Sequence, residues 1–101
     1  MFIGVGRYEL FIPASTSLKD KRRVLRAVTQ NVSNKLHVSI AEVDHLDKWQ
    51  RAGLGVTCVA GSIGHCRKVL QEVEKVISRA ALDGAEISDR QTTVVSLEDI
   101  T

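Results

Sequence analysis

The feature that most constrains the fold is an ordered alternation of two hydrophobic periods. Residues 2–12, FIGVGRYELFI, are rich in β-branched and aromatic residues and stop at Pro13, which reads as a strand. From Leu18 the apolar residues fall at Leu18, Leu25, Val28, Val32 and Leu36, with Val24 and Ala27 widening a helical stripe. Ser17, with Asp20 three residues on, gives a capping-box-like start, and this helix should fade near Asn34. Residues 37–45 and 53–60 read as two strands joined by a hairpin-like loop that carries Trp49. Gly61 and Ser62 end the third strand and cap a second helix. Its stripe (Cys66, Val69, Leu70, Val73, Val76, Ile77, Ala80) is the cleanest in the chain, and Asp83-Gly84 reads as its stop. The tail supplies a fourth strand, strongest over 92–97. The order βαββαβ predicts a ferredoxin-like α+β sandwich: two helices on one face of a four-stranded antiparallel sheet, with the first and third strands central.

The chain of 101 residues is one domain by length and can bury roughly two thirds of its unfolded surface. Aromatics are only 4% of the residues, so the core must be built from Val, Leu, Ile and Ala. Cys58 and Cys66 sit in apolar patterns and read as buried, reduced thiols. No apolar run approaches the length of a membrane span. The start, MFIGVGRYEL, has neither a basic n-region nor a small-residue cleavage site, so a cytoplasmic location is expected.

The net charge of +2 says little, but its distribution says more. KDKRRVLR places Lys19, Lys21, Arg22, Arg23 and Arg26 on the first helix, with Asp20 alone in opposition. With Leu18, Leu25 and Val28 facing the sheet, these cations are expected to project to water. Cations in the first half of a helix oppose its dipole, so helix stability does not account for them. An anionic surface, most simply a nucleic-acid backbone, does, and a solvated helix face is the plainer alternative. No aromatic is interleaved, which predicts backbone contact rather than base reading.

Along the first strand, charged Arg7 and Glu9 should face away from the helices with Ile3, Val5 and Phe11. Gly4, Gly6, Tyr8, Leu10 and Ile12 should face inward. In the third strand Leu54 and Val56 turn inward, and Gly53, Gly55, Thr57 and Val59 outward. Only Phe11 could stack a base on this open face, unlike RNA-recognition domains. A partly apolar face with small residues suits a homodimer better.

EVDHLDKWQR, residues 42–51, concentrates the remaining chemistry. Glu42 and Asp44 alternate onto one side of a strand and His45 onto the other, so a metal site would need a bulge; none is expected. A His–carboxylate catalytic pair lacks an activated nucleophile, and GVG at 4–6 lies within a strand rather than before a helix, so no phosphate loop or cofactor is expected. Trp49 either folds back over the open end of the core or anchors a recognition loop with Lys48 and Arg51. If Val38 and Ile40 face inward, Glu42 does too, unless a bulge shifts the phase.

GVGRYELFIP, SLKDKRRVL and VSIAEVDHLDKWQRAGLGV, together with the second-helix stripe, resemble the YlxP-like family of small bacterial proteins, a domain of unknown function, across essentially the whole chain. Gly6 and Tyr8 stand where aliphatic residues such as Leu are common in that family, which reads as tolerated variation. The resemblance implies a ferredoxin-like fold and a cytoplasmic location. It implies genes often neighbouring transcription-termination, translation-initiation and ribosome-maturation factors, and carries no catalytic residues. The expectation is a non-enzymatic accessory domain that contacts RNA or a ribosomal particle. Lys19, Lys21, Arg22, Arg23 and Arg26 would meet phosphates, with Lys48, Trp49 and Arg51 as a second contact. The alternatives are a homo-oligomeric module that binds a protein or small anion through its open sheet, and an enzyme built on Asp44 and His45.

Overall fold

In the computed structural model, which describes residues 1–81 and 84–100, the chain runs β1 (Phe2–Phe11), α1 (Leu18–Lys35), β2 (Ser39–Asp44), β3 (Arg51–Ala60), α2 (Ile63–Ala80), β4 (Glu86–Ser96) and a short α3 (Leu97–Ile100). The four strands form one sheet in the order β2-β3-β1-β4, antiparallel throughout, so β1 and β3 are central. The expected ferredoxin-like order is the observed one. The closing α3 was not read from sequence; Ser96 and Asp99 start it by capping each other's backbone N–H. The stop read at Asp83 lies outside the described residues.

Each helix begins where its cap chemistry directs. Ser17 Oγ accepts the Asp20 N–H, and the Asp20 carboxylate reaches back to the N–H and hydroxyl of Thr16. Ser62 Oγ accepts the His65 N–H at the head of α2. The core between sheet and helices is aliphatic: Leu10, Ile12, Leu25, Val28, Val32, Leu54, Val56, Leu70, Val73, Val76 and Ile77 are all buried. Cys58 and Cys66 are buried free thiols, as read.

Gly6 and Tyr8 form a coupled pair. A Cβ at Gly6 would lie 2.8 Å from the Tyr8 ring. The ring fills the space an aliphatic side chain would otherwise take, and its hydroxyl donates to the Leu70 carbonyl of α2 at 2.9 Å. Burial pushes that hydroxyl up to about 12, and the nearby Glu74 charge adds to the shift.

Two bulges set the outward chemistry. Glu42 pairs with Leu54 and Asp44 with Gly53, so Val43 is the extra residue. Glu42 therefore stays on the inner face while Asp44 is turned to the outer one. The expectation that the two carboxylates share a side fails for this reason. On β4, Ser88 is the extra residue, and its hydroxyl reaches the Glu9 carbonyl.

Candidate nucleic-acid interface

Lys21 corrects the expected basic surface. Its side chain is 1% exposed, and Nζ lies 2.8 Å from Glu42 Oε2, an oxygen with no hydrogen-bond partner among the described residues. Nζ also donates to the carbonyls of His45 (2.9 Å), Leu46 (3.2 Å) and Arg51 (3.5 Å). It stands four residues before Leu25 and seven before Val28, on the buried stripe itself. Inward Glu42 supplies its counter-charge. Lys21 is thus a structural tie between α1 and the β2–β3 loop, not a phosphate contact.

The other helix cations match the expectation. Lys19, Arg22, Arg23 and Arg26 are exposed, and none forms an ion pair among the described residues. At 3.6 residues per turn they share an arc of about 100°, opposite the buried face made by Lys21, Leu25, Val28 and Val32. Asp20 does not neutralise this arc by ion pairing. Its carboxylate is bound by the backbone and hydroxyl of Thr16, which, with Ser17 and the Arg23 charge, hold it below the usual carboxylate range.

The loop of residues 45–50 is anchored at the same end of the molecule. Lys21 holds its first two carbonyls, Ile12 N–H donates to the Gln50 carbonyl at 2.8 Å, and Gln50 Nε2 donates to the Pro13 carbonyl at 2.9 Å. Lys48, Trp49 and Arg51 are exposed. Trp49 is 55% exposed, so it does not close the core; it stands beside Phe11 in a cleft. Arg51 Nη2 lies 3.3 Å from Glu9 Oε2.

On the open face, the outward turn of Asp44 assembles a cluster that sequence reasoning saw only in part. Arg7 Nη2 lies 2.6 Å from both Glu9 Oε1 and Asp44 Oδ2, and His45 Nε2 lies 3.0 Å from Glu9 Oε1. His45 adopts φ 59°, left-handed backbone that starts the loop. Gly53 stands between the two carboxylates on β3, where a Cβ would lie 2.8 Å from Asp44 Cβ. Arg7, then His45 and Arg51, hold the Glu9 carboxyl below the usual range. The His45 N–H, followed by Arg7, does the same for Asp44. Glu9, Asp44 and His45 offer ligand atoms within 4.8 Å of one another. The Arg7 guanidinium already meets both carboxylates, so the donor set suits an arginine better than a metal cation. Glu9 was the member missed: its outward direction was legible, but its partnership with Asp44 needs the β2-β3-β1 order.

These features define a ferredoxin-like domain with a basic face on α1 and a charge-compensated cluster on the open sheet. Residues 3–92 match the model of a family described as "Protein of unknown function (DUF503)", and the chain belongs to that family. It is 41% identical over 71 residues to the uncharacterized protein YlxP of Bacillus subtilis (strain 168), covering 70% of this chain and 77% of that one. Among solved structures, the de novo designed ferredoxin-fold protein LFR1 1 superposes with a TM-score of 0.55 at 12% identity, over 95% of this chain and 86% of that one. SnoaB, a cofactor-independent oxygenase from Streptomyces nogalater, gives 0.56 at 6% identity, over 95% and 93%. Likeness at such identities shows the fold alone. No helix among the described residues is long and apolar enough to cross a membrane.

Proposed function

We propose that this chain is a non-enzymatic accessory domain that docks on RNA, in a ribosomal particle, through Lys19, Arg22, Arg23 and Arg26. The observation that carries this reading is the absence of any ion pair on that arc among the described residues, beside a neighbouring lysine that is fully compensated. Unpaired cations aligned on one face suit a phosphate backbone, where each contact releases counterions. Replacing Arg22, Arg23 and Arg26 with Glu should abolish RNA binding and leave the fold intact, because all three side chains are exposed. Co-sedimentation of that triple variant with ribosomes at wild-type levels would overturn the reading.

A second reading concerns self-association, and a different surface favours it. Val5, Val43 and Val59 are 43%, 56% and 64% exposed on the open face. Ile3 pairs in register with Val59 on one side and Val95 on the other. Small neighbours such as Gly55 and Thr57 would let a second sheet approach. Sedimentation of a monomer at roughly 100 times a typical micromolar dissociation constant would remove the homodimer.

A further inference from the structure

We propose that the cleft between Phe11 and Trp49 takes one unpaired nucleobase of a bound RNA, a proposal that rests on the RNA-docking reading above. The cleft has a volume of about 420 Å³ and is bounded by Phe11 and the loop residues from Asp47 to Arg51. The chain has two Phe, one Tyr and one Trp, so half of its aromatic side chains meet here. Neither of the two completes the core: Trp49 is 55% exposed and Phe11 half-buried on the outer face.

The walls are held before any ligand arrives. Phe11 ends β1 opposite Arg51. The loop is tied by Lys21 at one end and by Ile12 and Pro13 at the other, and Lys48 N–H turns back to the His45 carbonyl at 3.0 Å. A fixed aromatic cleft takes a flat base with little ordering cost. Charge narrows the occupant. Lys48 and Arg51 line the cleft and Asp47 opposes them; Arg51 remains 56% exposed although it touches Glu9. An apolar peptide side chain would have no use for these cations, whereas a base carries its own phosphate to them. A duplex keeps its bases stacked and cannot enter. The helix therefore holds the backbone in any strand form, while the cleft selects for single-stranded character.

The test uses the full chain, an eight-nucleotide oligouridylate and an RNA duplex of equal charge. Trp49 is the only tryptophan, so its emission reports on the cleft directly. The oligouridylate should quench that emission, and the duplex should bind without quenching it. Trp49→Ala should weaken oligouridylate binding about tenfold, read by anisotropy of a labelled strand, and leave duplex binding unchanged. Phe11→Leu, which keeps the site apolar, should act the same way and guards against a folding defect in either variant. If both RNAs bind but neither quenches Trp49, the base cleft is refuted and the helix reading stands. If Trp49→Ala weakens both RNAs equally, stacking is likewise refuted. If neither RNA binds, both proposals fall.

Discussion

Lys21→Met removes one ammonium and keeps the apolar stem of the side chain. That ammonium faces Glu42 Oε2 at 2.8 Å, from a lysine 1% exposed towards a glutamate 20% exposed. It also serves the carbonyls of His45 and Leu46. Removing one partner of a buried pair strands the other and costs about 3–5 kcal/mol. Partial access of Glu42 to water puts the loss near the lower end, about 3 kcal/mol. In Lys21→Met/Glu42→Leu the stranded charge is gone as well. Only the carbonyl hydrogen bonds remain lost, so the double variant should be about 1–2 kcal/mol below wild type. Glu42→Leu alone should also destabilise, by stranding the Lys21 ammonium, so a double variant more stable than Lys21→Met alone departs from additivity. Urea unfolding of all four proteins in the cycle measures this. A loss below about 1 kcal/mol in Lys21→Met would refute the structural role. Full stability combined with weakened RNA binding would return Lys21 to the phosphate contacts.

Three further outcomes follow from the geometry. Gly53→Ala puts a Cβ 2.8 Å from Asp44 Cβ and should cost about 1–3 kcal/mol in urea unfolding, because β2 must move off β3. Glu9 and Asp44 are held below the usual carboxylate range in the folded chain. Their stabilisation is therefore complete above the unfolded value, about pH 4, and is lost as pH falls through the depressed folded values. Arg7→Met should flatten that acid limb in a pH series of melting temperatures. Tyr8→Phe should cost about 1 kcal/mol through the Leu70 hydrogen bond. Because folding pushes the Tyr8 hydroxyl up to about 12, the wild-type advantage should hold to about pH 10, the unfolded value, and fade as pH rises towards 12.

The βαββαβ order was legible because periodicity, caps and turn residues agree at each of its six elements, and each is a local property of the chain; the four-residue α3 is too short to show a period. The buried pair was partly legible. Lys21 occupies a stripe position and Glu42 an inward strand position, and two opposite charges both aimed at the core point to each other. The basic run around Lys21 hid this, since KDKRR reads as one patch until each member is placed on the wheel. The cluster of Arg7, Glu9, Asp44 and His45 was not legible. It depends on the Val43 bulge, which flips Asp44, and on the empty side-chain position at Gly53 between two strands distant in sequence. Neither leaves a local mark. The exposure of Trp49 was equally a tertiary outcome. The core closes with aliphatic residues and Tyr8, leaving the single tryptophan no inward place.

The most direct measurement is the salt dependence of affinity for an RNA duplex, by anisotropy across a range of ionic strengths. Four helix cations meeting phosphates predict a log–log slope of roughly −3 to −4, falling to near zero when Arg22, Arg23 and Arg26 are changed to Glu. A wild-type slope near zero, or one the charge reversal leaves in place, would contradict the assignment of α1 as the docking face.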